Sequence, residues 1–256
     1  MGEQEINRFL TYLAVNKKVS ASTQNQALGS ILFLYKQVIK KSIGWIDKLE
    51  WAKKPKTIPV VLSTGEVKAV LLQLQGVVWI VASLLYGSGL RLMESLRLRV
   101  KDIDFEYNHI TIRDAKGHKD RRTMLPTALK EPLAQQLERV KVLHQKDLDE
   151  GFGLVYLPYG LQRKYPNANS EWIWQYVFPA STRYFDPYDK IHRRHHLHES
   201  VVQRAVKSAV HKAAIPKKAT CHTLRPQFCH PWFDSAHHRF TGKRTGYPNR
   251  SRIAGA

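Results

Sequence analysis

Apolar residues recur every three to four positions along most of this chain, which is the spacing of a helix face. In residues 3–15, Ile6, Phe9, Leu10 and Leu13 share one face and predict an opening helix. Ser22 or Thr23 then serves as an N-cap. Leu28, Ile31, Leu32, Tyr35 and Ile39 make the stripe of a second helix. Ser63-Thr64-Gly65-Glu66 has the form of a capping box, and Val67, Val70, Leu71 and Leu74 follow at helical spacing. The next run, VVWIVASLLY, is apolar on nearly every side, so its helix should be buried on most of its surface.

The period then changes. Gly87-Ser88-Gly89 breaks the apolar helix, and a further helix opens at Leu90. Ile103 and Phe105 alternate with Asp, and Ile110 and Ile112 alternate with Thr111 and Arg113, which predicts short hairpin strands. A turn at Lys116-Gly117-His118-Lys119 leads to a strand ending at Leu125-Pro126. Leu129, Leu133, Leu137 and Val140 stripe a longer helix that runs to about Leu148, and Val201, Ala205 and Val206 continue a helix toward Pro216. The expected class is mainly α with a small antiparallel hairpin sheet (α+β). Residues 1–50 form a helical domain, 51–62 a linker and 63–225 a larger domain. Residues 226–256 carry no helical stripe, and Pro226, Pro231 and Pro248 punctuate them.

Charge narrows the function. The 256 residues are 43% hydrophobic, enough for a real core, yet they carry a net charge of +20 and a pI near 10.0. Such a field favours polyanions, nucleic acid first among them, ahead of a ribosomal, membrane-surface or merely basic protein. Lys53, Lys54 and Lys56 place part of that charge in the linker. Two cysteines, Cys221 and Cys229, exclude a disulfide framework and suit a reducing, cytoplasmic setting. No apolar run approaches the ~18 residues of a membrane span, and the first residues lack the basic start of a signal peptide.

Several side chains could do chemistry. Arg91 is followed at three and four residues by Glu94 and Ser95, so the three share a helical face. Glu94 could hold the guanidinium, and a fixed guanidinium recognises a phosphate with two hydrogen bonds. A solvated surface arginine is the plainer reading. Lys116 stands in a glycine turn, where its charge suits protonation of a leaving oxygen. Lys119, Arg121 and Arg122 follow as candidate DNA contacts. His222 and Arg225 are three apart and could aim at one phosphate. Residues 151–180 crowd Phe152, Tyr156, Tyr159, Tyr165, Trp172, Trp174, Tyr176 and Phe178 beside Arg163 and Lys164. Bases stack on such rings, although most of them are expected in the core. Residues 181–225 hold ten Lys or Arg against three acids, including Arg193 and Arg194 as further DNA contacts. His192, His195, His196 and His198 lack the spacing of a compact zinc site, so no metal is expected.

The GLR string at Gly89–Arg91, the hairpin lysine and His222-Thr223-Leu224-Arg225 together resemble the catalytic domain of tyrosine recombinases, most closely the integron integrases. The resemblance runs from Glu5 to Arg225. It implies that Arg91 and Arg225 clamp the scissile phosphate, Glu94 supports Arg91, Lys116 is the general acid, ahead of Lys119, and His222 assists proton transfer. The strings YLPY, KYPNA and WQYVFPA are similar to a segment inserted in integron integrases at about 151–180. In that family the insertion contacts extrahelical bases of folded single-stranded recombination sites. The resemblance implies DNA as partner, a homo-oligomer on DNA, no cofactor and no membrane. It also implies that residues 1–50 are the later part of a core-binding domain of about four helices, the first half of the clamp being absent.

No match to the family's nucleophilic tyrosine, or to the final helix that docks into a neighbouring protomer, follows Arg225. Tyr247 is the only tyrosine there and sits in a turn-like Thr-Gly-Tyr-Pro-Asn. The genetic code suggests why. The codons of Pro-Gln-Phe-Cys-His-Pro, read one nucleotide on, can spell His-Ser-Phe-Ala-Thr-His, which integron integrases carry after His-x-x-Arg. A frameshifted tail is therefore expected. Three readings stand: an active recombinase, a DNA-binding remnant, and a poorly folded pseudogene product, with the last two preferred.

Overall fold

The structure is a computed structural model that describes residues 3–40, 51–53, 59–115, 119–158 and 160–225. Lys54, Lys56, Lys116, Tyr159 and the whole tail with Tyr247 lie outside the described residues. The chain divides into two units, Met1–Pro59 and Val60–Ala256.

In the first unit, α1 (Glu3–Val15) and α2 (Ala21–Phe33) meet along Ile6, Leu10 and Leu28, with Ile31, Leu32 and Tyr35 packed against them. Ile6 and Leu10, four apart, define the buried line, so Phe9 of the expected stripe is exposed. α2 begins earlier than expected. Ser20 is extended, and its Oγ accepts from the Thr23 N–H at 3.3 Å, so Ser22 and Thr23 already lie inside the helix. A π turn at Leu34–Val38 follows, with one more residue per hydrogen-bonded ring, which rotates Ile39 off the stripe into solvent. Asn25 exchanges two hydrogen bonds with the backbone of Ala52, at 2.9 and 2.8 Å, fastening the start of the expected linker to α2.

The second unit is built on α4 (Gly76–Gly87). Its residues from Ile80 to Gly87 are all buried, as expected for an element apolar on every side. Around it pack α3 (Thr64–Leu72), α5 (Leu92–Leu96), α6 (Thr127–Asp149), α8 (Glu199–Lys212) and α9 (Cys221–Leu224). Each fully buried Leu or Val contributes about 1.5–3 kcal/mol. The capping box at α3 is present: Ser63 Oγ accepts from the Glu66 N–H, and Glu66 accepts from the Ser63 N–H. Lys217 donates to that same Glu66 carboxylate at 2.8 Å and to the Val61 carbonyl at 3.1 Å. The lysine hydrogen bond and the capping bonds hold Glu66 below the usual carboxylate range.

A three-stranded antiparallel sheet runs β1 (Ile103–Asp104), β2 (His109–Ala115), β3 (Lys119–Met124). β1 is shorter than the alternation suggested, because Asp104 Oδ1 accepts from the Tyr107 N–H and turns the chain before Phe105 can pair. Ile110 faces Thr123, Ile112 faces Arg121, and a bulge follows Ile112. After α6 and a short α7 (Leu161–Lys164), the backbone at 175–177 is pinned to Leu98 and Val100 by bonds of 2.9 and 3.0 Å. Of the described aromatics in 151–180, Tyr176 and Phe178 are buried, Phe152, Trp172 and Trp174 half-buried, and Tyr156 and Tyr165 exposed. A second small sheet pairs β4 (Tyr184–Phe185) with β5 (His192–Arg193). On α8 the buried line is Val202, Val206, Ala209 and Val210, so Val206 of the expected stripe is buried while Val201 and Ala205 are half-buried. No described helix is long and apolar enough to cross a membrane.

Candidate active site

Arg91 does not lie in the first turn of a helix that opens at Leu90. Leu90 is fully buried, and Arg91 is the N-cap of α5, with extended backbone (φ −78°, ψ 154°). Gly89 permits this approach by adopting φ +63°, a left-handed conformation that costs glycine little. The acid three residues on still meets its arginine. Glu94 Oε2 accepts from the Arg91 N–H at 2.8 Å, and Oε1 accepts from the guanidinium at 2.5 Å. Ser95 Oγ donates to the Arg91 carbonyl at 3.0 Å. A second guanidinium, from Arg121 on β3, donates to Glu94 Oε2 at 2.7 Å. Burial pushes the Glu94 carboxyl up, but its bonds from the Arg91 amide and from both guanidiniums outweigh this and leave it lowered. One carboxylate thus holds two cations and leaves the cluster a net positive charge.

Arg225 arrives from the other end of the chain. It closes α9, and its Nε donates to the Gly89 carbonyl at 2.7 Å, two residues before Arg91. Arg91, His222 and Arg225 therefore line one cleft of about 1020 Å³, with Lys207, His211 and Lys218 on its rim and Leu90, Val210, Ile215 and Cys221 among its apolar lining. His222 is exposed, in the first turn's reach of Thr220, whose backbone N–H donates to Thr223 Oγ1. Burial raises the Cys221 thiol to about 11, which leaves it an uncharged packing group. Such a cleft can receive an anionic group between two fixed guanidiniums with an imidazole alongside.

The other expected contacts divide. Lys53, Lys119, Arg122, Arg163 and Lys164 are exposed. Arg193 and Arg194, expected as DNA contacts, are both buried and ion-paired inside the protein. Arg194 Nε and Nη2 donate to Asp147 on α6 at 2.6 and 2.7 Å, and Nη1 donates to the carbonyls of Ala180 and Ser181. Arg193 is paired with Asp186 and Asp189. Arg121 is likewise committed to Glu94 rather than free in solvent.

One buried cation escaped the sequence reading. Arg99 donates to the carbonyls of Trp174 and Tyr156 at 2.6 and 2.7 Å and lies over the Tyr176 ring at 4.5 Å. Asp102 Oδ2 accepts from the Arg99 N–H, and Oδ1 accepts from Arg113. Next to it Lys101 stacks on Trp174, and burial together with the nearby Arg113 lowers its ammonium to about 8. His195 and His196, with their own ring centroids 4.1 Å apart, pack against Tyr176 at 5.6 and 5.5 Å, and burial lowers the pKa of both. Among the described residues, no three His, Cys, Asp or Glu side chains converge as metal ligands would.

Residues 66–233 match the phage integrase family, and residues 1–45 match the SAM-like N-terminal domain of phage integrases. The first match extends eight residues past Arg225, where the resemblance was expected to stop. The chain is 43% identical over 228 residues to integrase/recombinase proteins of Escherichia coli and Pseudomonas aeruginosa, an overlap of 89% of this chain and 68% of each relative. Among solved structures it is similar to the XerH site-specific recombinase bound to difH substrate, with a TM-score of 0.54 and 15% identity over 95% of this chain and 61% of that one. That likeness is one of fold. With the mainly helical core, the small antiparallel sheet and these matches, the chain belongs to the phage integrase family of tyrosine recombinases.

Proposed function

We propose that this chain is an integron-integrase-like protein of site-specific recombination that grips one DNA phosphate between Arg91 and Arg225 but does not complete strand cleavage. One observation carries the phosphate site: the bond from Arg225 to the Gly89 carbonyl brings the two arginines to a common cleft although 134 residues separate them. In this reading Glu94 fixes Arg91, His222 assists proton transfer, and Lys116 is the general acid. Lys53, Lys54, Lys56, Lys119, Arg122, Arg163 and Lys164 supply further phosphate contacts. The strings YLPY, KYPNA and WQYVFPA support the integron type, and the exposed rings of Tyr156 and Tyr165 suit stacking on unpaired bases of a folded single-stranded site.

Equilibrium binding to attachment-site DNA tests the clamp. Arg91→Ala and Arg225→Ala should each weaken binding about ten-fold, the loss of a charge-assisted contact, while alanine at an exposed lysine such as Lys164 should cost several-fold less. Equal effects would remove the assignment. The missing chemistry has its own test. Cleavage in this family forms a phosphotyrosine, which needs a placed tyrosine nucleophile. Nicked attachment-site DNA run on a denaturing gel should show no covalent adduct. A shifted band that disappears in Tyr247→Phe would mean that the tail supplies a nucleophile after all.

A further inference from the structure

The geometry points to Arg121 as a positioning residue that acts on the phosphate through Glu94 and Arg91 and does not itself touch DNA. The inference rests on the phosphate-binding role proposed above for Arg91. Its starting point is strand register. In an antiparallel pair, residues directly opposite lie on the same face of the sheet. Arg121 is opposite Ile112, which is 2% exposed, so its face is the one turned to the core. Arg122, one residue on, falls on the other face and is exposed. Two adjacent arginines with the same local sequence signal thus have different tasks.

Glu94 supplies the rest. Its Oε1 is occupied by the Arg91 guanidinium, and its Oε2 accepts from both the Arg91 amide and Arg121. Its side chain is only 10% exposed, so little water is available to replace a lost partner. With Arg121 gone, the lone pairs of Oε2 lose a charged donor. The carboxylate can then turn toward Arg91 and draw its guanidinium away from an anion in the cleft. With Arg121 present, the charge of Glu94 is divided between two cations, and Arg91 keeps more of its own for a ligand. The same bond ties β3, which follows Lys116 in the sequence, to the start of α5. Hairpin and clamp are therefore placed by one carboxylate.

A double-mutant cycle on the full chain decides this, with a fluorescently labelled duplex carrying a recombination site as the probe. Arg121→Ala should weaken binding roughly three- to ten-fold in the wild-type background and leave it unchanged in Arg91→Ala. A residue that touches its own phosphate would instead add its loss to that of Arg91→Ala. It would also lower the salt slope by about a further 0.9 per contact. Arg121→Lys, which keeps one charged donor for Glu94, should restore most of the affinity, and Arg122→Ala should behave additively. If Arg121→Ala does not fold, as judged by its circular dichroism melt, Arg121→Gln takes its place in the cycle. Additive losses, or no rescue by lysine, overturn the inference. If the Arg91→Ala single variant binds as tightly as the wild type, the clamp on which the inference rests is overturned instead.

Discussion

Arg194→Ala is expected to be the most destabilising single exchange outside the apolar core, at about 3–5 kcal/mol. Asp147 is 3% exposed on α6, and Arg194 meets it with two hydrogen bonds of 2.6 and 2.7 Å. Removing the arginine leaves a buried carboxylate with only the longer, 3.4 Å contact from Arg183. It also leaves the carbonyls of Ala180 and Ser181 without their donor. The penalty is the desolvation of groups that water cannot reach, and it exceeds what the intact pair contributes over a well-packed apolar substitute. For a unit of this size the melting temperature should fall by about 10 °C. Arg194→Met with Asp147→Leu should recover much of the loss, since the pair is removed together. A melt within two or three degrees of wild type for Arg194→Ala would show that the pair is hydrated in solution.

DNA binding should collapse over a narrow range of salt. A net charge of +20 and a cleft closed by two arginines make phosphate neutralisation the main source of affinity. With five or six phosphates neutralised, raising salt from about 50 to 200 mM should weaken binding on the order of a thousand-fold or more. Fluorescence anisotropy at several salt concentrations measures the slope directly. A flat dependence would mean that apolar or base contacts dominate, and the charge would then need another explanation. The pairs that Arg193 and Arg194 make with Asp186, Asp189 and Asp147 should respond less, because both guanidiniums are buried in the protein. Pairing leaves the net charge of +20 as it is, but it takes Arg193 and Arg194 out of the set of cations that can face phosphates.

Local patterns were legible where the information is local. The Ser63–Glu66 capping box, the long stripe of α6 and the wholly apolar α4 lie in the order and spacing of neighbouring residues. The pairing of Arg91 with Glu94 survived even though Arg91 turned out to be a cap, because an acid at N3 reaches back to the N-cap amide in either case. What failed was the separation of solvated arginines from interior ones. Arg99, Arg121, Arg193 and Arg194 look alike in a basic sequence. The partners of Arg99, Arg121 and Arg194 include Tyr176, Glu94 and Asp147, up to 77 residues away, while those of Arg193 are the nearby Asp186 and Asp189. A charge run carries no mark of such distant acceptors. The π turn that displaces Ile39 is equally silent, since no residue type demands it.

The two bonds that finish the cleft join distant parts of the chain. Lys217 to Glu66 spans 151 residues, and Arg225 to Gly89 spans 136. Closing loops of that length costs chain entropy before any contact repays it. The expected order of folding therefore has α4, the hairpin and α6 assembling before α9 docks. Refolding followed by helix content should run ahead of refolding followed by DNA binding. On the return path, the end of α9 should open locally at a lower free energy than the rest of the core, and its amides should exchange with solvent first.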